Sequence, residues 1–264
     1  LSVRELGLTT VTARALLSNV DDSTGRADAV AHRLSQAIRL GLLLDGEQLP
    51  PESQLAEQMG VSTVTLREAL AGLRQQGLVV TRRGRGGGTF VRAPEDFARE
   101  LVEKLRQFST QELRDLGDHR AAVSGMAARL AAERALPDEV ESLARQVERL
   151  GAARTTSERR RADTQFNIEV AAAAQSPRLT QEELRLRAEV GDLLWLQLDD
   201  ADHEESVTAR RELVAAIRER RPVDARDHAE RHVATDTRRL LQLRLQVYEI
   251  RPAVVPGQGG RGRR

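Results

Sequence analysis

The sequence predicts a mainly α-helical protein: a small N-terminal domain with three helices and one β-hairpin, then an all-α bundle. Three observations predict it. Aromatic residues make up 2% of the 264 residues and apolar residues 40%, so the core is built from Leu, Val and Ala, a palette that favours helices over sheets. Apolar residues recur at i, i+3, i+4 and i+7 through most of the chain. After Val91 no alternating strand pattern appears.

Bulk properties narrow the function. Lys and Arg total 41 against 40 Asp and Glu, a net charge of +1, so attraction to a polyanion must be local. The chain has no cysteine, which excludes disulfides and thiolate metal sites. No apolar run reaches the ~20 residues of a membrane span and no signal peptide is visible, so the expected location is the cytoplasm, without a membrane partner.

Residues 1–25 read as an N-terminal arm, ending in Asp21-Asp22-Ser23-Thr24-Gly25. Ala27 to Leu40 is the first helix, with Val30, Leu34, Ala37 and Ile38 on one face. Pro50 and Pro51 stop what precedes them. Gln54 to Met59 is a short helix with Leu55 and Ala56 inward, and Gly60 ends it where φ > 0 is favoured. Ser62 caps the next helix, whose buried face is Leu66, Ala69, Leu70 and Leu73. Two β-branched runs, Leu78–Thr81 and Thr89–Val91, flank Arg82-Arg83-Gly84-Arg85-Gly86-Gly87-Gly88. That is a hairpin with a basic, glycine-rich tip.

Helix, tight turn, helix, then a basic hairpin is a winged helix-turn-helix. The second helix enters the major groove with its N-terminal side chains. The glycine-rich tip can approach phosphates or the minor groove closely. The predicted DNA contacts are Ser53, Ser62, Thr63, Thr65, Arg67, Arg74, Arg83, Gly84 and Arg85. From Ser62 to Arg92, arginines 67, 74, 82, 83, 85 and 92 stand against one acid, Glu68.

The stretch LPPESQLAEQMGVSTVTLREALAGLRQQGLV with RRGRGGGTFV resembles the winged-helix domain of GntR-family bacterial transcription regulators over about Gly25 to Ala93. The resemblance implies that Arg67 contacts operator bases, Thr65 a phosphate or base, and that Gly84 lies at the wing tip. Ser53 and Thr63 depart from the pattern. Many members carry arginine there, so two of the family's guanine contacts are missing. The DNA-binding domain is expected at 26–93.

Residues 94–108 read as a linker helix, Phe97 to Phe108, and 109–251 as helices throughout. Gln111 to Ala135 places Val123, Met126, Ala127, Leu130 and Ala131 on one face. Pro137 opens a helix to about Leu150. Ser157 to Ala174, Leu179 to Leu198 and about Glu204 to Arg220 follow. Pro222 begins the last helix, which ends before Pro252. Residues 252–264 are rich in Gly and Arg and read as a disordered tail.

The segments LRDLGDHRAAVSGMAARLAAERA, ADTQFNIEVAAAAQSPRL and RRELVAAIRERRPVDARDHAERHV resemble the FCD effector domain of the FadR branch. The resemblance implies a pocket inside the bundle, which in many relatives holds a divalent metal on one Asp and three His and binds a small carboxylate. The matching positions here are Asp163, Asn167, Arg210 and His232. Asn is a poor ligand and Arg none, since it stays protonated. No cofactor is expected; an alternative zinc or nickel set would be Asp163, His228 and His232, the two histidines one helical turn apart. Arg210, assisted by Arg120, would instead hold an anion through parallel hydrogen bonds, with Asp163 orienting the arginine. The expected effector residues are therefore Arg120, Asp163, Asn167, Arg210 and His232. Trp195, the only tryptophan, lines the pocket or packs in the core, and core packing is favoured.

The reading is a homodimeric regulator that binds a palindromic double-stranded DNA operator and acts as a repressor modulated by a small carboxylate or other anion. The alternative leaves the bundle as a dimerisation module without effector. An enzyme is not expected. There is no nucleophile–base pair, and Gly84–Gly88 leads into a strand, not into the helix a phosphate loop requires.

Overall fold

The computed structural model describes residues 25–92, 97–196 and 199–249. The expected arm and the expected tail at 252–264 lie outside the described residues. Within them the chain forms ten α-helices and a two-stranded sheet.

The N-terminal domain holds α1 (Arg26–Arg39), α2 (Glu52–Gln58), α3 (Thr63–Gln75), β1 (Val79–Arg82) and β2 (Gly88–Val91). The apolar faces predicted for all three helices are the buried ones: Val30, Leu34, Leu55, Leu66, Leu70 and Leu73 close on one another with Leu78, Val79 and Val91. Gly60 takes φ +65°, a left-handed turn that costs a residue with a Cβ about 1 kcal/mol. Ser62 Oγ accepts the Thr65 amide at 3.1 Å. β1 and β2 pair antiparallel from Val79↔Val91 to Arg82↔Gly88. A further backbone segment joins them, unread in the sequence. The Leu49 amide donates to Thr89 O and the Val91 amide to Glu47 O, both at 2.8 Å. At that length it carries no strand periodicity of its own.

The second domain follows α4 (Phe97–Gln107). It contains α5 (Thr110–Arg134), α6 (Pro137–Ala152), α7 (Thr156–Ala173), α8 (Pro177–Val190), a 3₁₀ turn (Leu193–Trp195), α9 (Asp200–Arg218) and α10 (Pro222–Glu249). Proline opens three of these helices, where its missing N–H has no partner to lose. Ser109, Thr155 and Asp199 cap α5, α7 and α9, each in reciprocal exchange with an acid three residues on. α5 and α10 approach closely at Gly117, where a Cβ would lie 2.6 Å from the Thr237 side chain. The core is small and aliphatic around Phe166: Ala128, Ala131, Leu143, Leu150, Val170, Val214 and Ile217.

Three expectations are corrected. The helix predicted from Leu179 to Leu198 ends at Val190; Gly191 is a weak helix former, and Asp192 turns into an ion pair with Arg160 at 3.0 Å. Trp195 therefore lies in the 3₁₀ turn, where it packs against two apolar clusters. The helix predicted from Glu204 starts at Asp200, because the Asp199 cap fixes its first turn. Met126 is 40% exposed, since the buried stripe of α5 runs through Val123, Ala127 and Ala131 and excludes the position beside Ala127. No helix among the described residues is long and apolar enough to cross a membrane.

Candidate functional site

Two constellations carry chemistry. The first is the outer surface of α2, α3 and the hairpin. Ser53, Ser62, Thr63 and Arg67 are exposed there. Thr65 is half-buried, its hydroxyl 2.9 Å from Ser62 Oγ. Arg67 Nε donates to Glu52 Oε2 at 2.7 Å, so an acid at the start of α2 holds the arginine of α3. The sequence reading did not weigh Glu52; its place next to Ser53 was the available signal. Arg74 is exposed as well, and its Nη1 donates to Thr81 Oγ1 at 3.1 Å, tying the last turn of α3 to β1. Arg82 stacks on Phe90 at 4.6 Å from the ring centre. That leaves Arg83 and Arg85 exposed at the tip around Gly84 (φ +98°) and Gly86 (φ +82°).

The second constellation is buried in the bundle. Asp163 of α7 is bonded by two arginines. Arg210 of α9 donates Nη2 to Asp163 Oδ1, and Arg187 of α8 donates Nη1 to Oδ2 at 2.6 Å. Asn167 adds its side-chain amide to Oδ1 at 3.1 Å. Arg187 also donates to Glu183 at 3.0 Å, which accepts from Ser124 at 3.0 Å. Arg210 Nη1 donates to Ser206 Oγ at 2.6 Å, and its guanidinium lies 5.7 Å from the Phe166 ring centre. Arg120 pairs with Asp236 at 3.0 Å. Burial by itself raises the Asp163 carboxyl, but Arg210 and Arg187 outweigh it and hold the group well below the carboxylate range. Burial likewise lowers Arg187, and Asp163 and Glu183 outweigh it to raise it.

The sequence placed Arg120, Asp163, Asn167, Arg210 and His232 in one site. Arg210, Asp163, Asn167 and His232 are directly bonded, and Arg120 joins them through Asp236, 3.5 Å from His232. Glu183, Arg187 and Asp236 were missed, although Glu183 and Arg187 are spaced i, i+4 beside the apolar Leu186 and Val190. The result is three arginines against three carboxylates, formally neutral.

This donor set does not fit a divalent metal. The Arg210 guanidinium stands between Asp163 and His232 Nε2, 2.9 Å from the latter, where a cation bridging the two would have to sit, and it would repel that cation. The alternative set fares no better: His228 Nδ1 faces Glu212 at 3.2 Å and Arg231 at 3.1 Å, and no three His, Cys, Asp or Glu cluster for a metal among the described residues.

Arg210 donates to His232 Nε2, so that nitrogen carries a lone pair and the ring is neutral. Burial first, then Arg210, lowers His232 from 6.5 to about 4. Between those values the unfolded chain binds a proton that the folded one refuses, so stability falls as pH falls from about 6.5 to about 4. The slope should approach one proton, about 1.4 kcal/mol per pH unit, and His232→Gln should flatten it by that amount in urea titrations. A variant with the wild-type slope would show His232 to be protonated in the fold.

A small cavity, about 20 Å³, lies against this network, lined by Ala127, Phe166, Val170, Glu183, Arg210 and His228 among others. That is room for about one water. Arg210 Nε is buried without a hydrogen-bond partner.

Comparison with known proteins places each of the two domains in a family. The family model described as bacterial regulatory proteins, gntR family, matches residues 26–91, and the FCD domain model matches residues 115–235. RmpR of Mycobacterium gastri, named as an HTH-type transcriptional regulator, is 42% identical over 83% of this chain and 82% of its own length. Rv0494 of Mycobacterium tuberculosis, also named as an HTH-type transcriptional regulator, is 36% identical over 53% of this chain and 57% of its own. An L-lactate dehydrogenase operon regulatory protein of Escherichia coli K12 is 38% identical over 44% of this chain and 46% of its own. The chain belongs to the GntR family of bacterial transcription regulators, with an FCD domain behind its helix-turn-helix, and is not an enzyme.

Proposed function

We propose that the protein is a homodimeric repressor that binds a palindromic operator through α3 and the wing, and that a small carboxylate or other anion modulates this binding from the buried site of the bundle. One observation carries the effector reading: Arg210 is buried, lines the cavity and holds one N–H without a partner. An unmet buried donor on a cation favours a ligand that brings an acceptor. Because the site is already neutral, an anion must take Arg210 from Asp163, and the cavity must widen to admit it. The leverage on the operator is the difference in its affinity between the two arrangements.

Thermal melting with and without chelator, across divalent metals and small carboxylates, tests this. A ligand that binds only the folded state raises the midpoint, by about 2.7 kcal/mol of stability at 100 times its Kd. A carboxylate should stabilise the protein regardless of chelator. Arg210→Met, which keeps the volume, should abolish that shift and leave operator affinity of the free protein within about threefold, or less than 0.7 kcal/mol. If chelator lowers the midpoint and zinc or nickel restores it, the protein holds a metal and the arginine reading fails.

The small size of the cavity and the internal neutralisation of Arg210 favour a second reading, in which the bundle serves dimerisation alone. No shift with any carboxylate, with the dimer intact, is its signature.

A further inference from the structure

The helix that carries Asp163 also carries the winged domain. Arg161, two residues before Asp163 and on another side of α7, reaches out of the bundle, and its Nη1 lies 3.2 Å from Glu47 Oε2. Both side chains are largely buried, at 15% and 19% exposure. Glu47 is not a loose partner. Its carboxylate also accepts the Leu44 amide at 2.9 Å, and its carbonyl accepts the Val91 amide of β2 at 2.8 Å. The acid is therefore built into the wing sheet.

Arg160 makes a second junction. Its guanidinium lies against the Gly41 turn, so closely that a Cβ on Gly41 would be 2.5 Å from Arg160 Nε. The same guanidinium pairs with Asp192 at 3.0 Å, a carboxylate that also lies in the fields of Lys104 on α4 and Arg39 at the end of α1. About two turns further along α7, Ile168 is fully buried within the winged domain's own apolar cluster. On an α-helix, residues 160, 161 and 168 fall on one side and residues 163, 166 and 170 on another. The second set faces Arg210 and the cavity.

We infer that Arg160 and Arg161 are positioning residues for operator recognition: through the Gly41 turn and Glu47 they set the attitude of the winged domain on the bundle, from the helix whose other side holds Asp163. A ligand that draws Arg210 away from Asp163 acts on α7, and α7 moves as a rigid element with whatever is anchored to it. In a dimer, a change in that attitude changes the separation of the two recognition helices, which must match the half-site spacing of the operator. Neither arginine touches DNA in this scheme.

The inference rests on the DNA-binding reading, and the test separates the two. Duplexes are first selected from a random pool by the wild-type full-length protein. If none is selected, the DNA-binding reading has failed before any variant is made. The selected palindrome is then prepared with half-site spacing altered by one to three base pairs, together with a single half-site. Glu47→Arg, Arg161→Glu and the double swap are titrated on all of them by fluorescence anisotropy. Each single reversal should weaken the best-spaced palindrome about tenfold, equivalent to 1.4 kcal/mol, and flatten the spacing preference. Half-site affinity should change less than about twofold, because the contacts to DNA are untouched. The double swap should restore the preference. Single variants with the wild-type spacing preference overturn the inference. So does an equal loss on the half-site, which marks damage to the winged domain, and so does a swap that restores nothing.

Discussion

Replacing Asp163 by alanine should destabilise the protein by about 3–5 kcal/mol, because Arg210 and Arg187 are both buried and lose the carboxylate they share. Arg187 keeps Glu183, whereas Arg210 keeps only the neutral Ser206 and His232. For a chain of this size the melting midpoint should fall by roughly 10 °C or more. Asp163→Asn should cost less, since an amide oxygen still accepts from one arginine. The double variant Asp163→Ala with Arg210→Met should recover most of the loss, because replacing a buried ion pair by apolar groups of similar volume is often neutral. Urea unfolding of the four proteins measures this. A loss below about 1 kcal/mol for Asp163→Ala would place the network in contact with water, at odds with its burial.

Arg67→Ala should weaken operator binding by about 5- to 150-fold per half-site, the 1–3 kcal/mol of a bidentate base contact, and relax specificity at the base it reads. Ser53 and Thr63 supply no guanidinium, while Arg83 and Arg85 are exposed at the wing tip. Arg83→Ala and Arg85→Ala should differ from it in kind. Each should weaken all duplexes about equally and reduce the slope of log affinity against log salt by about one. None should shift the melting midpoint, because all three side chains are exposed. Anisotropy titrations at several salt concentrations separate the two behaviours. Equal losses across sequences for Arg67→Ala would make it a phosphate contact. Glu52 adds a twist: it holds Arg67 Nε, so Glu52→Gln should raise non-specific affinity by removing an acid from the interface while loosening the aim of the arginine.

The winged domain was legible to within a residue or two because its information is local. Gly60 in its left-handed turn, Ser62 capping α3 and Leu66, Ala69, Leu70 and Leu73 on one face are each decided by neighbours four residues away or fewer. The Gln48 to Phe90 pairing was not legible, because a partner 42 residues distant leaves no period in so short a segment. The bundle behaved similarly. Proline starts placed α6 and α10, while the break after Val190 depended on Asp192 finding Arg160 on another helix.

In the buried site, resemblance named Asp163, Asn167, Arg210 and His232, and they do meet. It also put Arg120 in reach of them, yet Arg120 is taken up by Asp236. Side-chain type alone put a guanidinium, Arg210, at a position where the resemblance implies a metal ligand. Only the tertiary structure decided what that guanidinium does. Five helices bring three arginines and three carboxylates into one water-poor volume, and there charge must be neutralised locally. Arg210 therefore faces Asp163 first and any incoming anion second, a choice set by distances between helices far apart in the chain and invisible in any one of them.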